Sequence, residues 1–92
     1  MSVHGATGEQ ATVATATAQI GEAGHPVTLH RIIVTAAATT PTITLRNGTA
    51  TGTAVLTTHA VAAGDVIEIG LIFKEGLHYT EAGAITATFI WS

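Results

Sequence analysis

The stretch VTLHRIIVTAAA, residues 27–38, is the most apolar run of the chain and decides its fold class. Its β-branched valine, isoleucine and threonine residues favour an extended strand over a helix. The unbroken run Ile32-Ile33-Val34 predicts a strand that is buried on both faces. We therefore expect this segment to lie near the centre of a β-sheet.

The segments on both sides of this strand alternate with a period of two, which is typical of strands. Upstream, EQATVATATAQIG (residues 9–21) alternates small and polar residues and is predicted to form one first strand. Downstream, residues 42–61 contain two strands around Asn47-Gly48. This pair tolerates positive φ and favours a tight or bulged hairpin turn.

The last third of the chain continues the pattern. AAGDVIEIGLIF (residues 62–73) is predicted to be a strand in which Gly70 causes a bulge or kink. LHYTEAG (residues 77–83) is a short strand and turn, and AITATFIWS (residues 84–92) is the closing strand. Turn signals at intervals of roughly 8–12 residues are the pattern of a sandwich. The sequence predicts an all-β fold, a single antiparallel β-sandwich or jelly roll of about seven or eight strands.

The length and composition indicate one small domain with an unusually neutral surface. We expect residues 1–92 to form a single domain, with residues 1–9 as a flexible N-terminal arm. Only 10% of the residues are charged, against roughly 25% in an average soluble domain. The predicted strand edges carry almost no lysine or proline, the residues that usually prevent edges from pairing with other chains. Either the sandwich is highly twisted and its threonines keep it soluble, or neighbouring subunits or a larger scaffold cover these edges and faces.

Several classes of function are improbable on composition alone. The net charge is −3 with only three lysines and arginines, so no basic patch for nucleic acid is expected. The N-terminus lacks the pattern of a secretory signal, and no apolar run approaches the ~18 residues of a spanning helix. There is no cysteine, which excludes disulfides and thiolate metal sites. We expect a soluble protein that is made in the cytoplasm and binds neither nucleic acid nor membranes.

The residues that usually carry catalysis do not form a recognisable constellation. The two serines, Ser2 and Ser92, lie at the chain termini, which argues against a serine hydrolase. None of the five histidines has the i, i+2 spacing that places two metal ligands on one side of a strand. The acidic residues are too dispersed for a calcium loop. The sequence predicts no enzyme, no metal site and no cofactor.

Two residues leave alternatives open. Arg31 interrupts an apolar strand, so it either points outward and bonds to a carboxylate or a loop carbonyl, or anchors a subunit interface. Trp91 shares one face of the last strand with the apolar residues Ile85, Ala87 and Phe89. It either fills the core or contributes to an interface at the end of the sandwich. Arg31 and Trp91 are the candidate interface residues.

Residues 30–92 resemble the small β-sandwich virion proteins of tailed bacteriophages, the head-decoration and capsid-stabilising class. The motifs that carry the resemblance are L-H-R-I-I-V from Leu29, L-R-N-G from Leu45, G-L-x-F-x-x-G-L from Gly70, and T-x-T-x-x-W from Thr86. The resemblance implies a non-enzymatic subunit that is often trimeric, binds the outer surface of the capsid and holds the capsid proteins together. It also implies that the N-terminal arm contacts the capsid.

The sequence thus predicts a structural protein of a phage virion. We expect a homo-oligomer, with a trimer favoured, that is synthesised in the host cytoplasm and binds the major capsid protein at the capsid surface. The alternative is a carbohydrate-binding or host-surface-binding module of a fibre or tail tip. That module would need an exposed patch around Trp91, Tyr79 or Phe73, because sugar rings stack on aromatic side chains.

Overall fold

The computed structural model describes residues 10–38 and 40–92. The expected N-terminal arm, residues 1–9, lies outside the described residues. The described part of the chain forms eight strands. They are β1 (Gln10–Ala14), β2 (Ala18–Ile20), β3 (Val27–Ala36), β4 (Thr42–Asn47), β5 (Thr53–Ala60), β6 (Val66–Phe73), β7 (Leu77–Ala82) and β8 (Thr86–Trp91).

The strands form two four-stranded antiparallel sheets. Sheet I has the order β1-β8-β3-β6, and sheet II has the order β2-β7-β4-β5. The first strand pairs with the eighth, the second with the seventh, the third with the sixth and the fourth with the fifth. This nested pairing is that of a long hairpin wound into two layers, which is the jelly-roll arrangement. The predicted fold class, an antiparallel β-sandwich or jelly roll, is confirmed.

The core lies between the two sheets and is entirely apolar apart from one phenol group. The Tyr79 and Phe89 rings meet edge to face, with centroids 4.7 Å apart and planes at 66°. Aromatic pairs prefer this geometry. The buried apolar side chains are Ala14, Ile20, Val27, Leu29, Ile32, Val34, Ile43, Leu45, Val61, Phe73, Leu77, Tyr79, Ile85, Ala87 and Phe89.

The predicted first strand, residues 9–21, is wrong as a single element. The chain bends at residues 15–17, so β1 pairs with β8 in sheet I while β2 pairs with β7 in sheet II. Ala14 and Ile20 both point into the core from opposite layers. Inward and outward residues alternate with a period of two in the strands of both sheets. This alternation therefore does not reveal the short bend where the chain crosses from sheet I to sheet II.

The expectation that the Ile32-Ile33-Val34 run is buried on both faces is also wrong. Ile32 and Val34 are fully buried, whereas Ile33 lies on the outer face and is only partly buried. β3 is a central strand of sheet I, as predicted, but a two-layer sandwich has no third layer to cover its outer face.

Irregular pairing marks the level of His30 in sheet I. From Leu29 to Arg31, β3 contains one residue more than the segment of β8 with which it pairs. Over the same interval, the paired segment of β6 contains one residue more than β3, and this longer segment includes Gly70. Gly70 has a φ of 65°, which confirms the bulge predicted there. The irregularity lets Leu29 and Ile32 both face the core although they are three positions apart, a spacing that places residues on opposite faces of a regular strand.

The strand edges are less open to pairing than the sequence suggests. β5 has two register shifts against β4, and Thr58 in this strand has a φ of 43°. β6 has its own bulge, and the other two edge strands, β1 and β2, have only five and three residues. Bulges and short edges hinder strand addition as lysine or proline would. Contacts with other molecules are therefore expected through side chains rather than through added strands.

Candidate functional site

The most unusual surface of the molecule is the outer face of sheet I. Val13 on β1, Thr88 on β8, Ile33 on β3 and Val66 on β6 lie side by side in one row across all four strands. Val13 is 63% exposed and Val66 is 55% exposed. An antiparallel sheet with one solvated face normally carries polar residues there, so this row departs from the usual pattern.

The apolar character extends beyond this row. The next row contains Ala11, Ile90, Arg31 and Glu68, and Ile72 on β6 is 64% exposed. We call this surface the apolar face and define it by its apolar members on the outer side of sheet I, which are Ala11, Val13, Ile33, Val66, Ile72 and Ile90. Exposed apolar surface of this kind is typical of an interaction site.

Arg31 lies within this surface and points outward. Its Nε donates a hydrogen bond of 3.0 Å to Oε2 of Glu68, and both side chains remain substantially exposed. The sequence left open an outward Arg31 bonded to a carboxylate or a loop carbonyl, and an Arg31 that anchors an interface. The structure shows the outward side chain bonded to a carboxylate. An exposed ion pair of this kind contributes only about 0–1 kcal/mol to the free energy of unfolding, so the fold does not require it.

A polar pocket of about 290 Å³ lies beside this ion pair, lined by His30, Arg31, Glu68, Ile69 and Gly70. It sits where the bulged segments of β3 and β6 meet. His30 Nε2 lies 3.0 Å from the hydroxyl of Ser92, which orients the imidazole at the edge of the surface. A polar, charged recess therefore lies within the outer face of sheet I, between Val66 and Ile72 along β6.

The outer face of sheet II is different. Its residues include Gln19, Thr44, Arg46, His78 and Thr80, which alternate with the buried residues of β2, β4 and β7. This sheet follows the usual pattern of apolar residues inside and polar residues outside. The two outer faces of the sandwich are therefore chemically distinct, and only one of them is suited to bury against an apolar partner.

A second apolar feature lies where the two sheets are open along one side. β5 and β6 are the edge strands there, and a cleft of about 290 Å³ lies between them. Val55 is 48% exposed and Leu71 is 46% exposed in this cleft. The lining residues are Leu45, Val55, Leu56, His59, Ile67, Glu68, Ile69 and Leu71. The side chains of residues 10–38 and 40–92 therefore do not fully close the sandwich on this side.

Trp91 faces the interior at one end of the sandwich. It packs against the core, and its indole Nε1 donates a hydrogen bond of 2.9 Å to the Thr12 hydroxyl on β1. Gly21 lies against the ring, since a Cβ at this glycine would sit 3.2 Å from Trp91. The side chain is partly buried, so it stabilises this end of the sandwich while leaving part of its surface at the exterior.

The aromatic patch considered for a sugar-binding module is not formed. Tyr79 is 0% exposed and Phe73 is 1% exposed, because both point into the core. Of the three aromatic residues considered, only Trp91 retains exposed surface. This removes most of the stacking surface on which the carbohydrate-binding alternative depended.

Several acidic groups of the described residues have structural partners. Glu81 accepts hydrogen bonds from the Tyr79 hydroxyl at 2.8 Å and from the Ile85 N–H at 2.9 Å. Burial, followed by the hydrogen bond to Glu81 and the charge of its carboxylate, raises the pKa of Tyr79 well above its ordinary value. Asp65 accepts the Ala62 N–H at 2.9 Å. These contacts stabilise turns and the core.

The histidines are also dispersed over the surface. His25 lies 3.6 Å from Glu22 in the β2–β3 turn, and His59 lies at the rim of the apolar cleft. Within residues 10–38 and 40–92, no group of three or more histidine, aspartate or glutamate side chains is arranged to hold a metal ion. The described part of the chain likewise contains no helix suited to crossing a membrane.

Sequence reasoning did not identify the apolar face. Its members are ordinary β-branched residues in strands, and their individual positions do not distinguish an outward residue from a core residue. Comparison of the chain with protein-family models, with curated proteins and with solved structures found no match.

Proposed function

We propose that this protein is a non-enzymatic structural subunit that decorates and stabilises a phage capsid by associating with copies of itself and with the major capsid protein. The observation that carries the proposal is the apolar face, where Val13, Ile33 and Val66 lie with Thr88 in one row across sheet I. The resemblance to phage decoration proteins supplies the capsid as the scaffold and a trimer as the favoured oligomer.

The size of the apolar face supports an interface of ordinary dimensions. Four strands spaced ~4.8 Å apart and about six residues long cover roughly 20 by 20 Å. The accessible area exceeds this projection because side chains protrude, and a standard interface buries ~800 Å² per partner. The outer face of sheet I, of which the apolar face is a part, thus supplies a large part of one contact. A subunit that binds both a neighbour and a capsid needs a second contact, for which the cleft between β5 and β6 is available.

The two candidate interface residues have different parts in this proposal. Arg31 lies on the same outer face as Ile33 and Ile90, so a partner on this face also covers the Arg31–Glu68 pair. Trp91 points inward and packs against the core, so its main contribution is to hold the end of sheet I against the β2–β3 turn.

The proposal is tested by placing a charge on the apolar face. We expect Val66→Lys to lower the native mass of the assembled protein to that of the 9.3 kDa monomer, because burying a charged side chain in an apolar contact opposes association. Thr80→Lys is the matched control on the outer face of sheet II and is expected to leave the assembly unchanged. Native mass spectrometry and light scattering give the masses, and circular dichroism shows that both variants fold.

A second measurement tests the capsid as the scaffold. The protein is mixed with capsid shells of the phage that carries its gene and centrifuged. We expect the wild type to sediment with the shells and Val66→Lys to remain in solution. A wild-type protein that stays a monomer at high concentration and does not sediment with capsids would overturn the proposal.

A further inference from the structure

The one asparagine of the chain lies at the end of β4 and is followed by a glycine. Asn47 is the last residue of β4, and Gly48 begins the β4–β5 turn. Asparagine is among the thermolabile residues, and its side chain is converted to an acid most readily when the next residue is glycine, which has no side chain to hinder the reaction. This pair is therefore a candidate for chemical modification as well as part of a turn.

The reaction, deamidation, uses only groups of these two residues and water. The Gly48 nitrogen attacks Cγ of Asn47, so an N–Cγ bond forms and the Cγ–Nδ2 bond breaks. The amide group and the proton of the Gly48 nitrogen leave together as ammonia. Water then opens the succinimide ring, at Cγ to give aspartate or at the main-chain carbonyl carbon to give isoaspartate. Either product adds one negative charge to a chain whose net charge is −3.

The folded protein restrains the attacking nitrogen. The Gly48 N–H donates a hydrogen bond of 2.8 Å to the carbonyl of Gly76 in the β6–β7 turn, residues 74–76. The Gly48 carbonyl accepts a second bond of 2.8 Å from Nε2 of Gln19 on β2. An N–H group that is bonded to a carbonyl exchanges its proton with solvent only when the structure opens. The nitrogen must lose this proton to react, so the bond to Gly76 opposes the attack.

The same turn restrains the carboxamide that is attacked. Oδ1 of Asn47 accepts the Glu75 N–H at 2.9 Å, which restrains the side-chain rotation that ring closure requires. The main chain at Asn47 is paired with Thr53 on β5 and with Leu77 on β7. Both reacting groups are thus bonded to adjacent residues of one turn. That turn is itself held by the Gly24 N–H, which donates to the Glu75 carbonyl at 2.8 Å.

We infer that Asn47 is a deamidation site that the folded protein protects, and that opening of the β6–β7 turn controls the rate of the reaction. The reaction proceeds from molecules in which the bonds from Asn47 and Gly48 to this turn are broken. Such local opening requires less free energy than unfolding of the whole domain, so chains that are otherwise folded react. The inference is independent of the proposed function, because it involves neither the apolar face nor the cleft between β5 and β6.

The site is tested by mass spectrometry of the full-length protein incubated at mildly alkaline pH, folded in buffer and unfolded in urea. Deamidation raises the mass by the difference between water and ammonia, and proteolytic peptides locate the change to Asn47 or to a glutamine. We expect the unfolded chain to react at Asn47 at least ~tenfold faster than the folded protein, because two hydrogen bonds must break before the folded protein reacts. Asn47→Gln is the control and should show no comparable change in either state.

Two glycine variants separate opening of the turn from a general loss of stability. Gly76 and Gly64 both have positive φ, of 104° and 93°. A Cβ at Gly76 would lie 3.1 Å from Nε2 of Gln19 and 3.2 Å from the carbonyl oxygen of Glu22, whereas a Cβ at Gly64 meets nothing within 4 Å. We expect Gly76→Ala to accelerate deamidation of the folded protein at least ~threefold, because it disturbs the β6–β7 turn, and Gly64→Ala to react at the wild-type rate.

A measurement on the wild type serves if Gly76→Ala does not fold. At urea concentrations below the unfolding transition, the rate of deamidation and the hydrogen exchange of the Gly48 N–H should rise together, because both require the same opening. Equal rates in the folded and unfolded protein, or no reaction in the unfolded chain, would overturn the inference. So would equal rates in folded Gly76→Ala and Gly64→Ala, or a deamidation rate that does not follow the exchange of Gly48.

Discussion

Tyr79 should make the protein progressively less stable above pH 10. Its side chain is fully buried, and its hydroxyl donates a 2.8 Å hydrogen bond to Glu81. Burial first, and then the hydrogen bond and negative charge of Glu81, raise the pKa of Tyr79 well above its ordinary value. The folded protein therefore keeps the phenolic proton at pH values where the unfolded chain loses it.

The sign and size of the effect follow from the linkage between protons and folding. Below about pH 10, both states hold the proton, and Tyr79 adds no pH dependence. Above it, the unfolded state binds fewer protons, so the free energy of unfolding falls by about 1.36 kcal/mol for each pH unit. At pH 12 the loss relative to neutral pH is about 2.7 kcal/mol, a large fraction of the ~5 kcal/mol expected for a small domain.

The assay combines two signals. Tyr79 is the chain's one tyrosine and Trp91 its one tryptophan, so phenolate absorbance at 295 nm reports ionisation while indole fluorescence reports folding. We expect phenolate absorbance to rise only as the protein unfolds. Urea unfolding between pH 8 and 12 should give the predicted loss of stability. Tyr79→Phe is the control, and its free energy of unfolding should not show the loss above pH 10 that is due to Tyr79. The variant also removes the hydrogen bond that the Tyr79 hydroxyl donates to Glu81.

The reasoning would be refuted if phenolate absorbance rose with a midpoint near pH 10 while the fluorescence of Trp91 still reported a folded protein. That result would mean that the hydroxyl is accessible to solvent and that its bond to Glu81 does not restrain ionisation. An equal loss of stability in Tyr79→Phe would instead assign the alkaline transition to other groups.

Three further substitutions test the end of the sandwich around Trp91. Trp91→Ala should lower the free energy of unfolding by about 3 kcal/mol in urea titrations; unchanged stability together with lost assembly would place the residue in an interface instead. Thr12→Val should cost about 1 kcal/mol, because the indole N–H loses its acceptor, and no change would show that water replaces it. Gly21→Ala should cost more than Gly24→Ala, because both glycines have positive φ but only at Gly21 would a Cβ lie 2.8 Å from Val27. Equal losses of stability would contradict the close packing at Gly21.

Local features of the fold could be predicted because neighbouring residues specify them. Asn47-Gly48 indicates the place of the β4–β5 turn, where Gly48 has a φ of 104°, although the connection spans residues 48–52 and is longer than a tight turn. Gly70 indicates the bulge in β6. The crossing between sheets after Ala14 could not be predicted, since strands of both sheets have the same alternation. The bulge at His30 changes which residues of β3 face the core. It could not be predicted from the sequence of β3, because it arises in the pairing of β3 with two other strands, β6 and β8.

The candidate site was less predictable than the fold. The sequence singled out Arg31, and the structure places it on the outer face, but its partner Glu68 is 37 residues away in the chain. The sequence indicates that the core needs most of the aromatic residues, but only the packing of the two sheets shows that Tyr79 and Phe73 are among those inside. Asn47 and Gly48 are adjacent in the sequence, but the Glu75 N–H that bonds to Asn47 lies 28 residues further along the chain.

The sequence by itself determined the all-β class, the approximate number of strands and the neutral character of the surface, because these depend on residue type and on a period of two. The tertiary structure decided which apolar residues form the core and which form the apolar face. Val13, Ile33 and Val66 have the same chemistry as core residues. They become a continuous surface because antiparallel pairing brings four distant strands into register on the side of sheet I that no second layer covers.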